Sequence, residues 1–348
     1  VQFLRPTKNT PMDNIRLVLL FALAFVLLLL YQAWMEDYGS VSPQVPAASS
    51  EQSTAPTATA TSEETVPSVP VVSTLPASSQ KEDATGLPEP AAIEDSGLIA
   101  VETDLFKVEI SPRGGTIQNI FLLNYPVSPD SPCKKLQLLK PDYPNLYLAQ
   151  SGLIGASKDT APTHEAIFQA SNTEYKLTDG SDELAVELSW THDSGLKVIK
   201  RYQFKRGSYL IDLTQEVNNQ SDSNWAARSY VQLQRSEPYD PKKSSFIYTF
   251  TGAAYYSPEC KYEKVSFEDI IDNKISLEIN DGWVAMLQHY FLSAWIPPRG
   301  ETRTIFTNHL SGPRYVIGMY SPTVAVRPGD SHSFSTQFYA GPKLQNEL

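Results

Sequence analysis

The chain has 348 residues, 41% hydrophobic and 19% charged, so it carries enough apolar material for a sizeable core. Its formal charge of −11 argues against the basic face that displaces counterions from a phosphate backbone, and nucleic acid is not expected as a partner. Two cysteines, Cys133 and Cys260, are too few for a disulfide framework and have no metal-motif spacing; a pair and two free thiols both stay open.

In chain order, the first predicted element is an apolar helix over residues 15–34, "IRLVLLFALAFVLLLLYQAW". Its length matches the roughly 20 residues that cross a bilayer's hydrocarbon core. Three residues define this anchor: Arg16, the one charge, at its edge, and Tyr31 and Trp34 where aromatics settle at the membrane boundary. A cleaved signal peptide would have a shorter apolar region followed by small residues, whereas "YQAWMEDYG" is bulky. Arg5, Lys8 and Arg16 lie on one side of the span, Glu36 and Asp37 on the other. The positive-inside rule then places residues 1–14 in the cytoplasm and the bulk of the chain outside it.

Residues 35–95 read as a disordered tether rich in Pro, Ser, Thr and Glu. Eight prolines fall between Pro43 and Pro90, and ten acidic residues oppose the single Lys81. Such a composition buries too little apolar surface to offset its ordering entropy, and its charge solvates it.

From residue 96 to 341 the pattern is β. "ELAVELSW" alternates Leu184, Val186, Leu188 and Trp190; "LKVIKRYQF" and "YLIDLTQEV" follow after short polar turns. This spacing predicts an all-β domain, an antiparallel sandwich. The densest apolar run in this half is "GWVAMLQHYFLSAWIPP", residues 282–298. Gln288, His289 and Ser293 interrupt it and two prolines close it, so it is no second span. With apolar residues on both alternating faces it is expected to form one strand buried on both sides.

The same run resembles the periplasmic domain of the YidC-type membrane protein insertases of Gram-negative bacteria. Other segments agree in the family's order: the anchor, "TDLFKVEISPRGGTIQNIFLLNYP", "LYLAQSGLIG" and "FTGAAYYSPECKYEKVSFEDI". The resemblance implies a β-supersandwich, related to galactose mutarotase-like folds, behind one transmembrane helix. It implies an inner-membrane protein whose large domain is periplasmic and which helps integral membrane proteins insert and fold, alone or with the Sec translocon. The partners implied are the lipid bilayer, nascent membrane proteins, SecYEG, and SecD with SecF. The family's insertase core, a bundle of five further spans around a polar groove with an arginine, has no counterpart after Trp34. Residues 342–348 are therefore expected to begin a linker toward that core, and Arg113 belongs to the opening turn instead.

No catalytic, cofactor or metal residues are assigned. His289 in "LQHYF" and His309 in "TNHL" partly match the Asn-His-x-Tyr-Phe signature of mutarotases, but neither completes it. The alternative reading, a membrane-anchored mutarotase-like carbohydrate-binding protein or enzyme, would need a histidine and a carboxylate converging on one pocket. Gly114 and Gly115 read as a turn rather than a phosphate cradle, because no helix opens after them. Lys242 and Lys243, and Arg201 with Lys205 and Arg206, read as solvated faces. Tyr255, Tyr256 and Tyr262 read as core, with a cleft lining as the other option.

Overall fold

Alternation along the chain becomes two packed sheets in the computed structural model, which describes residues 21–29, 31, 97–128, 130–155, 161–239 and 249–343. The chain divides into two units, residues 1–86 and 87–348. In the first, residues 21–29 and 31 are helical (α1), and Tyr31 is exposed. Arg16, Trp34, the expected cytoplasmic residues 1–14, the tether 35–95, residues 344–348, and Lys242 with Lys243 lie outside the described residues. Among the described residues no helix is long and apolar enough to cross a membrane.

The second unit opens with β1 (Ile99–Glu102), β2 (Phe106–Ser111), β3 (Thr116–Pro126), β4 (Lys135–Leu139) and β5 (Tyr147–Gly155). Short strands β6 (Gln169–Ala170) and β7 (Glu174–Lys176) precede the long meander β8 (Glu183–Thr191), β9 (Leu196–Lys205), β10 (Leu210–Asn219) and β11 (Trp225–Ser236). Then come β12 (Gly252–Ser257), β13 (Lys261–Val265), the helix α2 (Phe267–Asp272), β14 (Ser276–Asn280), β15 (Trp283–Leu287) and β16 (Phe291–Ile296). The last four are β17 (Thr302–Leu310), β18 (Arg314–Tyr320), β19 (Val324–Val326) and β20 (Ser331–Pro342).

An eleven-stranded sheet runs β14-β17-β18-β11-β5-β3-β2-β1-β7, with β19 on β11 and β4 on β3. A nine-stranded sheet runs β13-β12-β15-β16-β20-β10-β9-β8-β6. Among the described residues pairing is antiparallel apart from β1 with β7. The expected all-β sandwich is therefore the architecture, and β8, β9 and β10 form where the alternation placed them. On β9 and β10 the buried positions recur at every second residue, as strand geometry requires.

The run at 282–298 departs from expectation. It is not one strand but the hairpin β15–β16, folded at Gln288-His289-Tyr290, with Val284 opposite Trp295 and Met286 opposite Ser293. Consecutive residues are buried on both strands, so each has both faces covered, and the one-strand pattern and the hairpin look alike in sequence. Its content is core nonetheless: Val284, Met286 and Trp295 are almost fully buried, while Trp283 and Phe291 are half-buried.

Polar bonds join the two sheets across this core. The Trp295 indole N–H donates to the Gln232 carbonyl at 3.1 Å. Tyr147 O–H donates to the Met286 carbonyl at 3.2 Å, and Arg235 donates to the Leu287 carbonyl at 3.1 Å. The same Arg235 lies over the Tyr147 ring, 4.6 Å from its centroid. Burial holds the Tyr147 hydroxyl proton, with its pKa pushed up to about 12.

Candidate functional site

Titratable side chains converge where the β2–β3 turn meets segment 161–168. Arg113-Gly114-Gly115 makes that turn, with φ of +70° at Gly114 and +62° at Gly115, a region open mainly to glycine. A Cβ on Gly114 would also overlap the backbone of His164. That close approach lets Gly114 N–H donate to the Ala166 carbonyl at 2.6 Å and Phe168 N–H to that of Pro112 at 2.9 Å. Arg113 then pairs with Glu165 at 2.6 Å.

Lys200 rises into this turn from the other sheet. Its place on β9, in step with Leu196, Val198, Tyr202 and Phe204, turns it inward, and it is fully buried. Its ammonium donates to the Gly114 carbonyl at 2.5 Å, the Ser151 carbonyl at 2.8 Å and the Ser151 hydroxyl at 2.9 Å. The Phe168 ring lies 5.1 Å away. Burial lowers the Lys200 pKa to about 7. Beside it, Tyr202 O–H donates to the Gly115 carbonyl at 2.5 Å, and burial raises its pKa.

His164 sits on the other side of the turn. The Tyr230 hydroxyl meets its Nδ1 at 2.5 Å and accepts from its backbone N–H at 2.9 Å. Its Nε2 faces Glu165 at 3.4 Å. Burial, partly opposed by the Glu165 carboxylate, lowers the His164 pKa, so the neutral ring is favoured.

Chemically, this cluster is a clamp. The Lys200 ammonium donates to three acceptors and is fully buried, so the group is not presented to a ligand for nucleophilic attack. Both ring nitrogens of His164 face protein partners, so neither is presented as a general base to a ligand. What the arrangement can do is fix the opening turn and segment 161–168 to both sheets.

A second feature lies along β2, β3 and β4. Phe121, Leu123 and Leu136 line a groove of about 500 Å³ bordered by Lys107, Lys134, Lys135 and Lys140. At its end Gln137 donates to Asn119 at 2.7 Å, and Asn119 donates to Glu109 at 2.8 Å.

The residues singled out in the sequence scatter. His289 is exposed in the β15–β16 turn, its Nδ1 2.6 Å from the Thr249 hydroxyl. His309 is exposed on β17, its ring 5.3 Å from that of Tyr315. They stand on different sheets and share no partner among the described contacts. Arg201 pairs with Glu187 and Lys205 with Asp212 on the surface. Tyr256 and Tyr262 are not core: they join Trp283 in an aromatic row across β13, β12 and β15, with ring centroids 6.1 and 6.0 Å from that of Trp283, while Tyr255 packs against the core. Cys133 and Cys260 are free thiols. The period of two on β9 is the signal that could have marked Lys200 as inward, whereas His164 and Tyr230 carry no signal that would join them.

The YidC periplasmic domain family matches residues 98–348. The membrane protein insertase YidC of Methylococcus capsulatus is 39% identical over 338 residues, covering 97% of this chain and 59% of that protein. The proteins of that name from Thioalkalivibrio sulfidiphilus and Pseudomonas aeruginosa are 38% and 35% identical, each over 97% of this chain and over 60% and 61% of their own lengths. The chain thus spans less than two thirds of each of these relatives. Among solved structures, a galactose mutarotase related enzyme from Lactobacillus acidophilus has a TM-score of 0.47 at 13% identity, covering 71% of this chain and 100% of that one. A galactose mutarotase-like protein from Lactobacillus casei has a TM-score of 0.45 at 10% identity, covering 70% and 100%.

Proposed function

Because this chain belongs to the YidC family of membrane protein insertases, we propose that it is the anchor and periplasmic region of an insertase that helps integral membrane proteins enter the bilayer and fold. The supporting observation is likeness over 97% of the chain, anchor region included, to proteins of that name. On this reading residues 15–34 hold the protein in the inner membrane through Arg16, Tyr31 and Trp34, with residues 1–14 in the cytoplasm. Residues 35–95 are a tether, 96–341 are the periplasmic sandwich, and 342–348 lead toward a core like that of the longer relatives. Nascent membrane proteins and lipid are the partners, with SecYEG, SecD and SecF beside them.

The sandwich does no chemistry of its own in this proposal. Lys200 and His164 are committed to structure, and a polar route through hydrocarbon belongs to spanning segments rather than to a β-domain. The test is a chimera in which this chain replaces the matching region of the Methylococcus capsulatus relative, expressed in cells depleted of their own insertase. Growth and insertion of a reporter membrane protein at the level given by the unaltered relative are expected. A chimera that accumulates in the membrane yet inserts nothing overturns the proposal.

A further inference from the structure

The groove along β2, β3 and β4 collects positive charge in a chain whose net charge is −11. Lys107, Lys134 and Lys135 are exposed and Lys140 is half-buried. Among the described residues, only Lys107 has a carboxylate within ion-pair reach, Glu109 at 3.9 Å. That carboxylate is already engaged by Asn119. Between the ammonium groups the floor is apolar, with Phe121, Leu123 and Leu136 half-buried, and Val127 is 51% exposed at the rim.

An amphiphile with a negative head fits this combination. The lining contains no arginine. Lysine binds phosphate as a compact, freely rotating point charge, and the apolar floor between the ammoniums offers a face for hydrocarbon. A groove with four ammoniums around an oily floor therefore suits a phosphodiester joined to hydrocarbon. We propose that this groove docks the headgroup of an anionic phospholipid at the membrane surface, with phosphate among Lys107, Lys134, Lys135 and Lys140 and the glycerol end over Phe121 and Leu123. Such contacts would hold one face of the sandwich against the bilayer. The inference rests on the membrane attachment proposed above only for bringing lipid within reach.

The full chain, reconstituted into phosphatidylcholine vesicles, is exposed to photoactivatable phosphatidylglycerol or to photoactivatable phosphatidylcholine, and crosslinked peptides are mapped by mass spectrometry. Labelling within residues 121–140 should favour phosphatidylglycerol by at least about fivefold and fall toward the phosphatidylcholine level in 0.5 M salt. The double variant Lys134→Glu with Lys135→Glu should lose this preference, while Lys197→Glu, an exposed change on β9, should keep it. Equal labelling from both lipids, or an unchanged preference in the double variant, overturns the proposal. So does crosslinking of the groove to polypeptide irrespective of lipid charge. Crosslinks within residues 15–34 are read separately, so failure of the anchor reading is distinguishable from failure of the groove. Unfolding midpoints of the three chains, measured alongside, show whether any loss is merely a loss of fold.

Discussion

Lys200 and the lysines of the β2–β4 groove are the same side chain in opposite settings. Lys200 lies between the sheets with three acceptors around its ammonium. Lys134 and Lys135 stand in solvent with no carboxylate within ion-pair reach among the described residues. A buried charge must be satisfied by the fold itself, because no water is there to do it. An exposed charge with no partner costs the fold nothing and is left available to a ligand. The difference separates the residues that hold this domain together from those that can act for it, and that separation can be tested.

The largest effects should fall in the seam between the sheets. Trp295→Ala removes a large buried side chain and its bond to Gln232, and about 3–5 kcal/mol of stability should be lost in denaturant titration. Trp283→Ala, in the half-buried aromatic row of the same hairpin, should cost clearly less. Equal losses would mean that the hairpin's two faces do not differ as their burial says. Gly114→Ala comes next, at about 2 kcal/mol or more, since the new Cβ meets His164 backbone and φ is positive. A neutral result there would show that segment 161–168 is not stitched to the turn.

A pH series sharpens the comparison itself. Burial holds the Lys200 pKa at about 7, against an ordinary lysine value of 10.5. Below about pH 7 both folded and unfolded chains carry the proton, and the cost of burying the charge is present in full. Above that value the folded chain releases a proton that the unfolded chain still holds, so the Lys200 contribution to stability rises with pH up to about 10. Lys200→Met should lack this rise. The check is the difference in urea midpoint between parent and variant at pH 6.5, 8 and 9.5; a constant difference would count against a depressed pKa. Lys134→Glu with Lys135→Glu should change stability by no more than about 0.5 kcal/mol across the same range, because neither lysine is buried.

What the amino-acid sequence reveals of this arrangement depends on range. On β8, β9 and β10 the period of two is a local signal, and it put Leu184, Val186, Ile211 and Leu213 where the strands need them. The β9 strand also turns Lys200 inward, and the acceptors that make this tolerable lie 86 and 49 residues away, at Gly114 and Ser151. The β15–β16 turn was hidden because Gln288-His289-Tyr290 carries none of the Gly, Asn or Asp signals of a tight hairpin. The lysine groove was hidden for another reason. Its residues come from three strands, and only the pairing of β2 with β3 and of β3 with β4 places Lys107 beside Phe121 and Gln137.

The smallest effect is expected at His289, the residue whose sequence context looked most like chemistry. In the structure its Nδ1 meets the Thr249 hydroxyl at 2.6 Å and its ring stands edge-on to Tyr290 at 3.8 Å. The bond from Lys343 reaches its backbone carbonyl and survives substitution. His289 is exposed, so His289→Ala should change stability by less than about 0.5 kcal/mol. Insertion by the chimera should stay within about twofold, a change below about 0.5 kcal/mol in any step it limits. The variant is informative because the tip is not inert in shape: Tyr290 is 69% exposed beside it. A clear drop in insertion with an unchanged unfolding midpoint would move His289 to the other side of the comparison. The tip would then be a surface that meets a partner, and Tyr290→Ala should reproduce the loss.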